Sequence, residues 1–210
     1  IFGLNIRDRQ RKVADTEQML EYKDSGVAEN TAAKINEIQK FFMEETRLGI
    51  PIIAFDEALH GLVRNDATAF PQSIGLAATW DTTLIGKVGA AIGREARSRG
   101  IRDVLCPVIN LARDARWGRV EETYGEDPFL MSELTAAYVR NIEDLGVVVT
   151  PKHLIANVGD GGRDSYPIDF NLRTLEEVYF PPFLAALRRG RTTSFMTSYN
   201  SLDGSPCTSN

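Results

Sequence analysis

Along the 210 residues, short apolar runs alternate with longer stretches in which apolar positions recur every three or four residues. The runs at 2–6, 51–55, 104–109, 147–150 and 194–198 are β-branched or apolar throughout and read as buried strands. Between them, 28–48 carries Ala32, Ile35, Ile38, Phe41 and Phe42 at helical spacing and meets a stop at Gly49. Asp81 is placed to cap a helix running to Arg99, with Gly100 closing it. Asp127 sets a capping carboxylate ahead of Pro128 at a first helical position, opening a helix to Asp144. In the last helix, Thr174 and Glu177 have the spacing of a capping box, and Arg188, Arg189 and Gly190 form a cationic, glycine-closed end.

Strand and helix in repeated succession, with strands apolar on both faces, predict a parallel α/β sheet. No G-x-G-x-x-G or G-x-x-x-x-G-K-[ST] follows a strand, which weakens a doubly wound nucleotide-binding sheet. The unusual polar residues gather just past strand ends, at Glu57, 113–119, Lys152-His153 and Tyr199-Asn200. A (β/α) barrel keeps its chemistry there. Five strand-helix units stand against the eight of a closed barrel, so the expectation is an incomplete TIM-type barrel with an open edge.

Composition narrows the partners. With 43% hydrophobic residues the chain can bury a core, and a formal charge of −5 with interleaved acids and bases leaves no basic stripe for nucleic acid. No apolar run is long enough to cross a bilayer, so no membrane partner is expected. His60 and His153 are the two histidines, too few for a three-histidine metal site, and Cys106 and Cys207 give neither a disulfide framework nor a zinc knuckle. No metal or organic cofactor is implied.

Four stretches carry a specific resemblance: E-A-L-H-G at 57–61, R-D-A-R-W-G-R at 113–119 followed by E-E-T-Y-G-E-D-P, P-K-H at 151–153, and M-T-S-Y-N at 196–200. With F-P-Q-S-I-G-L-A-A-T-W-D at 70–81, they resemble the N-terminal barrel domain of glycoside hydrolase family 3, the retaining β-glycosidases. The resemblance implies a β-glucosidase or β-xylosidase acting on terminal β-linked sugars, with substrate held by Glu57, Arg119, Lys152, His153, Tyr199 and Met196. It also implies that residues 1–210 are part of the barrel domain, and that the nucleophile Asp and the acid/base lie beyond Asn210, so this segment alone is expected to be inactive. The remainder of the parent chain is then a partner, and a periplasmic or extracellular setting follows from the resemblance alone.

Each candidate suits a sugar. Lys152 and Arg119 donate to hydroxyl oxygens, Glu57 accepts from hydroxyl hydrogens, and Tyr199 offers a ring and a phenol. Consecutive side chains on a regular strand diverge, so Lys152 and His153 cannot both grip one sugar from ideal β geometry. A bulge or a non-proline cis peptide is therefore predicted at Lys152-His153.

The remaining residues have blander assignments. Arg113, Asp114 and Arg116 read as a structural ion-pair network, His60 as a loop-packing residue and Trp80 as core, while Trp117 either stacks on a sugar or packs the rim. Two other functions stay open. One is a non-catalytic carbohydrate-binding or scaffold module. The other is the β-N-acetylglucosaminidase branch, whose G-D-x-x-x-D-S-H pattern is matched by G-D-G-G-R-D-S-Y at 159–166 except for Tyr166 in place of the histidine. A phenol titrates too high to serve as its general acid. Glu57, where many family glucosidases have Asp, projects one methylene further and crowds a glucose hydroxymethyl, which gives xylosides weight beside glucosides.

Overall fold

A computed structural model of the chain describes residues 3–4, 6–8, 20–22, 27–64, 66–159, 164 and 166–210. The elements run β1 (Gly3–Leu4), β2 (Ile6–Asp8), β3 (Leu20–Tyr22), α1 (Ala28–Glu45), β4 (Ile53–Asp56), α2 (Ser73–Ala77), α3 (Thr82–Ser98) and β5 (Asp103–Val104). A 3-10 turn (Val120–Glu122), α4 (Pro128–Glu143), β6 (Val148–Val149) and β7 (Lys152–Leu154) follow. Then α5 (Leu172–Thr174) runs on through a π-helical turn (Leu175–Tyr179), α6 (Phe180–Ala185) and a second π-helical turn (Ala186–Gly190). The chain finishes with β8 (Met196–Thr197), β9 (Ser201–Leu202) and β10 (Ser205–Pro206).

One parallel sheet has the order β1-β4-β5-β6, with Gly3 opposite Ile53, Phe55 opposite Asp103 and Asp103 opposite Val148. Past β6 the chain continues into β7, which pairs in parallel with β8, Lys152 opposite Met196. A bridge from Val108 to Lys152 ties β7 to the segment after β5. Neighbouring parallel strands joined through helices give the sequential order of a (β/α) barrel, and among the described residues the sheet does not close. The architecture is an incomplete α/β barrel.

Strand termination is chemical. The expected strand over 104–109 stops at Val104, and Pro107, which has no N–H to give to a ladder, separates it from Val108, an isolated bridge residue. The run at 147–150 holds β6, and Lys152-His153 falls beyond it in a short strand of its own, β7. Of the run at 2–6, Gly3, Leu4 and Ile6 are in strands, and Phe2 and Asn5 lie outside the described residues.

The helices begin largely where their caps predict. Asp81 accepts the Leu84 N–H at 2.9 Å to open α3, and Asp127 accepts that of Leu130 at 2.7 Å to open α4 behind Pro128. These two helices lie close together because α3 presents glycine to α4: a Cβ at Gly89 would sit 2.9 Å from the Tyr138 carbonyl oxygen. The core between sheet and helices holds fully buried Ile85, Ile92, Val104, Met131, Leu134, Ile142 and Val149. Each such side chain contributes roughly 1.5–3 kcal/mol through burial.

Three local expectations need correction. Thr174 is not the cap of the last helix: Asn171 precedes it and accepts its N–H at 2.9 Å. Gly190 does not form the left-handed stop, a conformation taken by Arg191 at φ 66°. Gly190 is instead where the helix crosses Val139, whose side chain would lie 2.8 Å from an added Cβ. Trp80 is 73% exposed, since Leu76 and Ala77 of α2 take the buried positions and the chain then turns outward at Trp80 with φ 55°.

Candidate functional site

The site is assembled from the segments that follow β4 and β5 and from β7 itself. At the end of β4, the buried Asp56 carboxylate takes the Glu57 N–H at 2.8 Å with one oxygen and Arg64 Nε and Nη2 at 2.8 and 2.7 Å with the other. The backbone of Glu57 is thereby tied to a buried ion pair. From behind, the Tyr138 hydroxyl on α4 donates to the Ala58 carbonyl at 2.6 Å. Glu57 then projects its carboxylate to Lys152, whose Nζ lies 2.8 and 2.7 Å from the two oxygens.

Lys152 and His153 are each 3% exposed and are joined by a cis peptide, with a register shift between Lys152 and Leu154. The cis peptide is one of the two alternatives anticipated at this pair. Leu154–Ile155 is also cis. Lys152 reaches Glu57 while His153 reaches Arg119, whose Nη1 lies 3.1 Å from His153 Nε2.

Arg119 enters on the loop after β5, just before the 3-10 turn. Its guanidinium makes a fork with Glu122, Nε to Oε1 at 2.9 Å and Nη2 to Oε2 at 2.7 Å, and Nη1 donates to Asp164 at 2.8 Å. Burial disfavours the Arg119 charge, but the hydrogen bonds and charges of Glu122 and Asp164 outweigh it and hold its pKa above the ordinary value. A fixed cation faces His153. On the other side of the ring, Asn110 Oδ1 lies 3.0 Å from Nδ1.

Glu57, Lys152, His153 and Arg119 are thus linked, directly or through the chain, while Tyr199 and Met196 stand differently. Met196 is opposite Lys152 in the β7–β8 pair. Tyr199 follows β8 and is 77% exposed, and no hydrogen bond joins it to the other four among the described residues. Trp117 is buried, consistent with packing the rim. His60 packs its loop, with Nδ1 2.9 Å from the Phe70 carbonyl oxygen.

Of the expected Arg113-Asp114-Arg116 network, the described residues show an ion pair between Arg116 and Asp114, with Nη2 2.7 Å from the carboxylate. Arg113 turns toward Tyr179, where burial raises the phenol pKa and the guanidinium opposes the rise. A cleft of about 380 Å³ lies between Arg113, Asp114, Tyr166, Phe170 and Tyr179. None of the four linked residues lines it.

Residues 16–210 match the model of the glycosyl hydrolase family 3 N-terminal domain. The chain belongs to glycoside hydrolase family 3. Within the family, it is 36% identical over 192 residues to a β-xylosidase of Formosa agariphila, covering 83% of this chain and 26% of that protein. It is 38% identical over 165 residues to a β-glucosidase of Rhizobium radiobacter, covering 75% of this chain and 20% of the relative. In three dimensions it resembles a β-glucosidase of Erythrobacter marinus with TM-score 0.81 at 32% identity, over 89% of this chain and 26% of that one. A mutant β-glucosidase of Listeria innocua, solved in complex with laminaribiose, gives TM-score 0.76 at 30% identity over 84% of this chain and 25% of its own. This family 3 chain spans about a quarter of the length of such relatives.

Three site residues of the family 3 chain escaped the reading of sequence. Asn110 interrupts the apolar run V-I-N-L, and a buried amide in such a run is the signal that could have marked it. Glu122 stands three residues after Arg119, the spacing of a turn-mediated ion pair. Asp164 was noted only for its pattern; of its loop, Asp160 and Ser165 lie outside the described residues.

Proposed function

We propose that the protein carrying this chain hydrolyses terminal, non-reducing β-D-glucosyl or β-D-xylosyl residues with retention of configuration, and that residues 1–210 are the part of its barrel that grips the sugar. The observation that carries the reading is the coupled pair of contacts Glu57–Lys152 and Arg119–His153, delivered by two consecutive buried side chains. They supply an acceptor, a compact cation, a forked donor and an imidazole around one spot, which is the chemistry a ring of hydroxyls requires. Met196 and the exposed Tyr199, on and just after β8 beside Lys152, complete the substrate-binding set.

The carboxylates of this site are engaged by cations. Glu57 is held by Lys152, and Glu122 and Asp164 by Arg119. Retention needs a further pair, a nucleophile and an acid/base about 5–5.5 Å apart across the glycosidic bond. Under this reading they come from segments of the protein outside these 210 residues, and no metal or organic cofactor takes part.

The relatives of known name include both a β-xylosidase and β-glucosidases, which supports the pair of substrates rather than one of them. The test is direct. The polypeptide expressed from its full reading frame is assayed on aryl β-D-glucosides and β-D-xylosides, with the first-formed anomer followed by proton NMR. Hydrolysis yielding the β-anomer first is expected, with no turnover by the 210-residue chain. Absence of hydrolysis on both substrates, or initial release of the α-anomer, would overturn the reading.

A further inference from the structure

We propose that Asp56 is a positioning residue for Glu57: its Oδ1 holds the Glu57 main chain so that the carboxylate meets both Lys152 and a sugar hydroxyl. The sugar contact rests on the function proposed above; the hold of Asp56 on Glu57 does not.

Strand geometry gives the two neighbouring acids different tasks. Asp56 and Ala54 stand two apart in β4 and share a face, and Ala54 packs against Ile35 of α1. The Asp56 carboxylate therefore lies on the helix side of the sheet, where the residue is 4% exposed. Glu57, the next residue, reaches Lys152 Nζ at 2.8 and 2.7 Å instead. Asp56 thus acts on a bound sugar through its neighbour.

The main chain of Asp56 is fixed in the sheet, opposite Val104, with its carbonyl taking the Leu105 N–H at 2.9 Å. From that base, Oδ1 accepts the Glu57 N–H at 2.8 Å and holds the first peptide past the strand. Oδ2 accepts Arg64 Nε and Nη2 at 2.8 and 2.7 Å, which orients the carboxylate and neutralises it. The Asp56 and Arg64 side chains are 6% and 3% exposed, so water does not compete for these bonds. The pair also closes the loop 57–64 on itself.

Glu57 has acceptor capacity beyond its lysine. A carboxylate offers about four lone-pair sites, Lys152 meets one on each oxygen, and the side chain is 39% exposed. Where the remaining lone pairs point depends on the peptide that Asp56 holds. Without the Asp56 oxygen, the Glu57 N–H loses its acceptor and the residue can turn to find another.

Two double variants that differ only in that oxygen provide the test. Asp56→Leu with Arg64→Met replaces the buried ion pair by apolar groups of similar size, an exchange often neutral for stability, and removes the acceptor. Asp56→Asn with Arg64→Met keeps an acceptor oxygen and, being neutral, needs no cation. In the full reading-frame protein the leucine variant should raise KM for aryl β-glucoside and β-xyloside about tenfold with a smaller change in kcat, as for one lost hydrogen bond to a charged group. The asparagine variant should stay within about threefold of the unaltered KM. Hydrogen exchange read by mass spectrometry should be about tenfold faster over 57–64 in the leucine variant than in the asparagine variant, with α4 unchanged. Equal KM values in the two variants, or equal exchange over 57–64, overturn the proposal. If the leucine variant does not fold, the asparagine variant decides: a KM within about threefold sustains the proposal and a rise of about tenfold overturns it. If the unaltered protein neither binds nor cleaves either glycoside, the proposed function falls, and exchange over 57–64 alone decides whether Asp56 holds Glu57.

Discussion

Lys152 sends its ammonium to both oxygens of Glu57, at 2.8 and 2.7 Å, across two strands that are not adjacent in sequence. The two ends of this pair are unequal: the lysine side chain is 3% exposed and the glutamate 39%. Removing the glutamate strands a buried cation, whereas removing the lysine leaves a carboxylate that water can reach. Glu57→Gln should therefore destabilise by about 1–3 kcal/mol, and Lys152→Met should stay within about 1 kcal/mol of the parent. Urea unfolding of the two variants checks the asymmetry, and equal losses would contradict it.

Glu57→Asp withdraws the carboxylate by one methylene, which opens the pocket where a glucose hydroxymethyl would sit and lengthens the reach to Lys152. In the full protein the ratio of kcat/KM for aryl β-glucoside over aryl β-xyloside should rise, by roughly 10-fold, the scale of a single methylene in a pocket. Steady-state kinetics on both substrates measure it. A fall in the ratio would remove Glu57 as the specificity element.

At the other end of the strands, burial raises the pKa of Asp103 above its ordinary 3.8, against the Thr150 hydroxyl and the Val104 N–H, which favour the anion. Burial likewise raises Glu143 above 4.5, against N–H groups of Val149 and Thr193, and the Asp103 charge adds to the rise. A raised carboxyl contributes stability that is full below the unfolded pKa and lost as pH climbs through the folded one. Urea midpoints should thus fall as pH climbs from the ordinary carboxylate range through the raised values of these two groups. Asp103→Asn keeps an acceptor for Thr150, removes the charge and should flatten that decline. An unchanged slope would contradict this.

Cys106 is buried and its thiol is pushed up to about 12, chiefly by desolvation, while Cys207 is partly accessible. The thiolate is the reactive form. A thiol reagent at pH 8 should therefore modify Cys207 alone in the native chain and reach Cys106 only on unfolding, as counted by mass spectrometry. Rapid native labelling at Cys106 would show that the core opens there.

What could be read from residues alone was whatever depends on local periodicity and local polar chemistry. Asp81 and Asp127 cap their helices because a carboxylate ahead of a helical stretch needs only its own next turn. The cis peptide at Lys152-His153 was foreseeable because two neighbours had to serve one site. Trp80 was misplaced because its exposure depends on which residues of α2 the rest of the core accepts. Asn110 was missed for the same reason. Its partner lies 43 residues away, and no local pattern announces that a buried amide will clasp a distant histidine.

The bond from Tyr138 to Ala58 joins residues 80 apart and has one end in the helical shell and the other beside Glu57. The loop that carries Glu57 is therefore moored to α4, and through Gly89 to α3 as well. Evolution or engineering that loosens the outer helices would reach Glu57 and its lysine partner by this tether, so tolerance to change on the outside of the barrel is set partly by what happens at the strand ends.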